Sequence, residues 1–169
     1  DLKKLLRRLS GDTAELEPWR VQALSALLTG TRSRQLPLDA QFADANFRQA
    51  LRAMVGNAEA TPDGRVAALK LLCRLPGKQG ETDRLLAGQL TARSPRELFD
   101  FSIGELAGLD PTAAILLANW KGYSPSRKRA VLQQLLAGER SIRGLLAAIH
   151  GNEIAVAEIG PVFRQFLTT

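Results

Sequence analysis

One cysteine, one histidine, one tyrosine and one methionine occur in 169 residues, and each scarcity closes off a chemistry. With Cys73 alone there is neither an internal disulfide nor a CxxCH haem attachment, and His150 adds too little for a structural zinc site. The setting of Cys73, LKLLCRL, predicts a small buried hydrophobe in preference to a reactive thiol. Aromatic residues make up only 5% of the chain, and the apolar set is mostly Leu and Ala, a balance that favours helices over sheets. No stretch approaches the roughly 18 apolar residues of a membrane-spanning helix. The opening DLKKLLRRLSGD is charged and amphipathic, without the apolar block of a signal peptide. Glycine-rich phosphate loops, Ser-His-Asp arrangements and HExxH patterns are also missing from the sequence. We therefore expect no catalytic, cofactor-binding or metal-ligating residue in this segment. Asp1 and the final FLTT lead us to expect further chain on either side, where a signal, an anchor or a catalytic domain would lie.

What the chain does have is a repeated helical phrase. RVQALSALL begins at Arg20 and RVAALKLLC at Arg65, with Arg, Val, Ala and Leu in the same order and apolar residues at helical spacing. Looser echoes follow, FSIGELAGL from Phe101 and RAVLQQLLA from Arg129, at separations within the roughly 20 to 50 residues of helical repeats. Leu, Val and Ala of the phrase are expected to pack between repeats, leaving Arg20 and Arg65 to face outward.

Punctuation divides the rest into short helices. We expect helices over 2–9, from Pro18 to about Leu28, over 42–55, 65–75, 82–90, from Ser94 and Pro95 to Gly108, over 112–120, 126–136, 141–150 and 160–167. Ser94–Pro95, Asp110–Pro111 and Ser124–Pro125 are three successive start signals, a polar cap followed by a proline whose missing N–H costs nothing in the first turn. Such closely spaced starts predict short antiparallel helices that cannot bury their apolar faces singly. The expected fold is all-α, a HEAT- or armadillo-like α-solenoid of short antiparallel helix pairs. Residues 1–60 would form irregular N-terminal helices or a capping repeat, and 61–169 one continuous solenoid. An irregular globular helical domain is the alternative.

Charge is uneven. The net charge is +6, and from Pro111 onward seven basic residues (Lys121, Arg127, Lys128, Arg129, Arg140, Arg143, Arg164) face three acidic ones (Glu139, Glu153, Glu158). Trp120 precedes the run Arg127, Lys128, Arg129, so these four residues form the candidate interaction patch, on a basic face suited to nucleic acid, an acidic protein or anionic lipid. The competing reading makes Trp19 and Trp120 packing wedges and the charges a solvated face. His150 is expected to cap or decorate its helix end, and Glu153 and Glu158 to be solvated carboxylates, not a catalytic pair.

The run from Leu116 to Leu167, with its helix ending in Trp120, the Ser124–Pro125 start, the leucine-rich 145–149 and the turn Gly151 to Glu153, resembles the HEAT-like region of large planctomycete-type proteins. Those proteins are membrane-bound dehydrogenase-type chains with a cytochrome-c-like haem-binding C-terminus. DGRVAALKLLCRLPGKQGETDRLLAGQL and its continuation to Asp110 also look like that family's repeats, so the resemblance covers about the last 110 residues. It implies a non-catalytic scaffold between a β-propeller dehydrogenase-like domain and a haem domain, working outside the cytoplasm, in the periplasm or beyond. Its partners would be neighbouring domains of the same chain or another protein. No haem ligand carries over, because the haem motif is absent, and no cofactor is expected in this segment. A weaker likeness, of the basic face beside Trp120 to the HEAT-type alkylpurine glycosylases, implies the second reading, a basic solenoid that binds nucleic acid.

Overall fold

The computed structural model describes residues 17–30, 45–75, 79–107, 112–160 and 163, and these contain eight α-helices and no strand. The chain is all-α. It divides into two compact units, Asp1–Leu85 and Leu86–Thr169. The expected helices at 2–9 and 160–167 lie outside the described residues, apart from Gly160 and Phe163.

The N-terminal unit is built from α1 (Pro18–Gly30), α2 (Ala45–Gly56), α3 (Pro62–Arg74) and the first part of α4 (Gln79–Gly88). In α2 the buried residues Phe47, Leu51, Met54 and Val55 fall at i, i+4, i+7 and i+8, one face of a helix. α3 packs against both α1 and α2 and is buried on more than one stripe, at Ala67, Ala68, Leu69, Leu71 and Leu72. It starts one turn before the expected Arg65, because Thr61 caps it: Thr61 Oγ1 accepts a hydrogen bond from Gly64 N at 3.2 Å, and Pro62 occupies the first turn. Gly64 also lies against α1, since a Cβ there would stand 3.6 Å from Pro18 Cβ. The two copies of the phrase, on α1 and α3, are thus neighbours that meet at their N-terminal ends. Their Arg residues are half-buried, and Arg65 Nε donates to Val55 O at 2.9 Å, tying the last turn of α2 to α3. Cys73 is half-buried, a partial correction to its expected burial, because it sits at the edge of the α3 face that Leu72 and Leu69 fill. The turn at Thr61, where the expected capping region would meet the solenoid, joins two helices of this unit.

The C-terminal unit contains α5 (Arg96–Leu106), α6 (Thr112–Leu117), α7 (Pro125–Leu135), α8 (Glu139–His150) and two single 3₁₀ turns, Trp120–Gly122 and Val156–Glu158. α7 is central, packing on α5, α6 and α8, and α6 crosses α8 closely. At that crossing Gly144 faces Ala113: a Cβ on Gly144 would lie 2.3 Å from the Ala113 Cβ, so only glycine fits. The core comprises Leu98, Phe99, Ile103 and Leu106 of α5, Leu116 of α6, Val131, Leu132 and Leu135 of α7, and Leu145 of α8. Each large side chain so buried contributes roughly 1.5–3 kcal/mol relative to exposure.

Two local expectations change here. Ser94 does not cap α5, whose N-cap is Pro95; Ser94 Oγ instead shares a hydrogen bond with Thr91 Oγ1 at 2.9 Å. The helix expected to run to Trp120 ends at Leu117, and Trp120 opens a separate 3₁₀ turn. α8 closes as a tight bend in which Asn152 takes the left-handed conformation, φ 56°, and Glu153 N and Ile154 N reach back to Ala148 O.

Candidate functional site

Three consecutive residues of α7 carry the predicted basic run, and steps of about 100° around a helix send them in three directions. Arg127 turns back across the unit. Its guanidinium donates through Nη1 to Thr91 O and through Nη2 to Ser94 O, carbonyls of the loop before α5. The same guanidinium lies 4.7 Å from the centroid of the Phe99 ring, a cation–π contact. Phe99 in turn meets Tyr123 edge to face, with centroids 5.3 Å apart and planes at 83°.

Tyr123 completes this tie. It is buried, and its hydroxyl donates to Leu90 O at 3.2 Å, an acceptor shared with Asn119 Nδ2 at 2.8 Å. Burial pushes the phenol up to about 12, partly opposed by the neighbouring Arg127 charge, so the hydroxyl remains a donor across the neutral range. Arg127, Tyr123 and Asn119 together satisfy three carbonyls of residues 90–94 that no helix or strand pairs.

Lys128 turns the other way. Its ammonium sits 5.0 Å from the Trp120 ring centroid and pairs with Glu158 Oε1 at 2.5 Å. Trp120 is buried and donates from Nε1 to Glu158 Oε2 at 3.1 Å, and that oxygen also accepts from Ala155 N at 3.3 Å. The Lys128 hydrogen bond first, then that of Trp120, holds the Glu158 carboxyl below its ordinary value. Glu158, expected as a solvated carboxylate, is instead tied to Lys128, Trp120 and Ala155 N. Its only signal was the acidic residue three positions after Ala155 in a short segment following the Asn152 bend.

Of the predicted patch, Trp120 is a buried packing element and Arg127 and Lys128 are half-buried ties; Arg129 alone is exposed. The structure brings Lys128 and Trp120 together; Arg129, which makes no hydrogen bond or ion pair with a described residue, lines a depression of about 300 Å³ with Lys128 and Glu158. Trp19, by contrast, is 56% exposed, with Nε1 on Glu17 Oε2 and the Arg20 guanidinium 5.7 Å from its ring centroid. The wedge reading suits Trp120 and not Trp19. His150 is exposed in the last turn of α8, and Glu153 is exposed.

Arg129 opens onto a groove of about 730 Å³ between α5 and α7, with Arg96, Asp100, Gly104, Ala130 and Gln133 along it. A second depression, about 860 Å³ between α6 and α8, is lined mainly by Ala113, Ala114, Ala118, Gly144 and Ala147. Among the described residues there is no cluster of three His, Cys, Asp or Glu side chains suited to a metal ion, and no helix long and apolar enough to cross a membrane. Comparison with family models, with curated proteins and with solved structures finds no match to this chain.

Proposed function

We propose that this chain is a non-catalytic helical-repeat module that positions neighbouring domains or binds a protein partner on its stacked-helix surface. The observation that carries this reading is the inward use of Arg127 and Lys128. A nucleic-acid surface needs cations free to neutralise phosphates, and here two of the three in the run are spent on the chain's own carbonyls and on Glu158.

The repeat character draws support from the placement of the echoes. α1 and α3 carry the two copies of the phrase and pack on each other; α5 and α7 carry the two looser echoes and do the same. Adjacent equivalent helices are what tandem helix pairs produce when each buries the apolar face of the next. On this proposal the chain is a HEAT-like solenoid, and the family resemblance extends it to a haem-containing redox parent acting outside the cytoplasm. A CxxCH motif downstream in the full-length open reading frame is the expected finding for that parent.

A basic solenoid that binds nucleic acid is the competing reading. Fluorescence anisotropy with a labelled duplex of about 20 base pairs, over roughly 50 to 200 mM salt, separates the two. The scaffold reading expects no saturable binding at micromolar protein. Micromolar binding with a steep salt dependence, lost in Arg129→Ala, would replace it.

A further inference from the structure

We infer that the groove between α5 and α7 is a docking site for an acidic peptide segment, a proposal that rests on the protein-interaction reading above and names the partner's chemistry. Two helix stripes build its walls. On α7, Ser126, Arg129, Ala130 and Gln133 stand at i, i+3, i+4 and i+7; on α5, Arg96, Asp100, Ile103 and Gly104 stand at i, i+4, i+7 and i+8. Each set is one continuous face, and the two faces meet across the same space of about 730 Å³.

The chemistry of those faces selects the occupant. Three guanidinium groups, Arg96, Arg127 and Arg129, line the groove against one carboxylate, Asp100. Arg127 is held by loop carbonyls and serves as fixed positive charge, whereas Arg129 is exposed and keeps its planar fork of donors for a ligand. Arg96 pairs with Asp100 at 3.3 Å, but its side chain is 87% exposed, so that pair is screened and readily exchanged. Gln133 is exposed and supplies an uncharged donor and acceptor one turn beyond Arg129. Ala92, Ala130 and Gly104 contribute little side-chain bulk between these groups, which leaves room for a backbone to approach.

A carboxylate-bearing peptide matches this pattern better than a nucleic acid does. Arg–carboxylate pairs are bidentate and need only one or two acidic side chains at the right places. A duplex presents one charge per roughly 1.7 Å of axis, a density that the few guanidinium groups of this groove do not match. The cationic track also stops short, because Lys128 is committed to Glu158.

The test is fluorescence anisotropy of the intact chain with three labelled probes: an octapeptide of alternating Glu and Ala, the same peptide with Gln for Glu, and duplex DNA. The acidic peptide is expected to bind and the Gln peptide not to. Arg129→Glu should weaken peptide binding about tenfold, the loss of one charge-assisted contact. Gln133→Glu, isosteric and exposed, should weaken it in the same direction, and Arg143→Glu on α8, with the same change in net charge, should leave it within about twofold. Circular dichroism of each variant confirms the fold. Absence of peptide binding, or an equal loss in Arg143→Glu and Arg129→Glu, would overturn the groove proposal and leave the interaction-module reading to its own test. Tighter binding of duplex DNA than of peptide would overturn both.

Discussion

The two units solve the same problem, burying short helices made largely of Leu and Ala, by different means. In the N-terminal unit α1 to α3 are helices of 12 or 13 residues whose apolar faces do most of the work, with α3 buried between its neighbours. In the C-terminal unit α6 has six residues, well below the length at which a helix is stable by itself. There the core is completed by side chains that reach far away in sequence: Arg127 to the Thr91 and Ser94 carbonyls, Tyr123 and Asn119 to the Leu90 carbonyl, and Trp120 to the Glu158 carboxylate. Apolar stripes organise the first unit, with the Arg52–Glu81 ion pair and the Arg65 bond to Val55 O beside them; in the second, a linked set of polar ties lies over the apolar floor. Polar atoms on a helical surface are therefore not automatically ligand contacts.

The contrast can be broken hardest at Phe99. Phe99→Ala removes a fully buried ring and with it the platform for Arg127 and Tyr123, and should cost about 3–5 kcal/mol in chemical denaturation. Leu51→Ala, equally buried in α2, should cost about 2–5 kcal/mol. If the units differ as described, hydrogen exchange should place the first loss in residues 86–160 and the second in 45–75.

Next in size is Arg127→Ala, which leaves the Ser94 carbonyl without its side-chain donor and Thr91 O with only the long bond from Ser94 N, and should cost about 2–3 kcal/mol. Arg127→Lys should restore little of this, because an ammonium cannot span two carbonyls and stack on Phe99 as a planar guanidinium does. In the N-terminal unit Arg65→Ala removes a single carbonyl bond and should cost about 1 kcal/mol.

How far these features can be seen in the sequence follows the same division. The starts at Pro18 and Pro125 were legible because capping and proline chemistry are local, and Ser124 does accept a bond from the Arg127 backbone N–H; the same chemistry at Thr61, which accepts from Gly64 N, reads as a turn in the sequence, with the helix expected only from Arg65. The α2 stripe was legible because Phe47, Leu51, Met54 and Val55 share a period. The fate of Arg127, Lys128 and Arg129 was not. Three adjacent residues on a helix face three ways, and which way meets Phe99, Glu158 or solvent depends on partners about 30 residues distant with no periodic trace. Ser94 misled for a related reason, since its hydroxyl found Thr91 closer than the helix start.

Titration gives a sharper, smaller contrast confined to the C-terminal unit. Glu158 has a lowered folded pKa, so its contribution is present above its ordinary value of 4.5 and is lost as pH falls through the folded value. Tyr123 has a raised one, from 10.0 to about 12, so its contribution is present below 10 and is lost as pH rises toward 12. Unfolding followed by Trp120 fluorescence in a Trp19→Phe background should therefore show the contributions of these two groups at full strength between these limits. Glu158→Gln should remove its share of the acid-side decline, and Tyr123→Phe its share of the alkaline one.

The smallest effect is expected at Ser102, a buried hydroxyl on α5 without a hydrogen-bond partner among the described residues. Ser102→Ala should be neutral or stabilising by up to about 1 kcal/mol, read as an increase in the melting temperature.

The most direct test of the account is hydrogen exchange, followed by mass spectrometry, on the wild-type chain and Arg127→Ala. If Arg127 is a tie and not a ligand contact, the variant should lose protection across residues 90–99 while 45–75 keeps its own. Unchanged protection at 90–99 would contradict the account and return Arg127 to the surface for a partner to use.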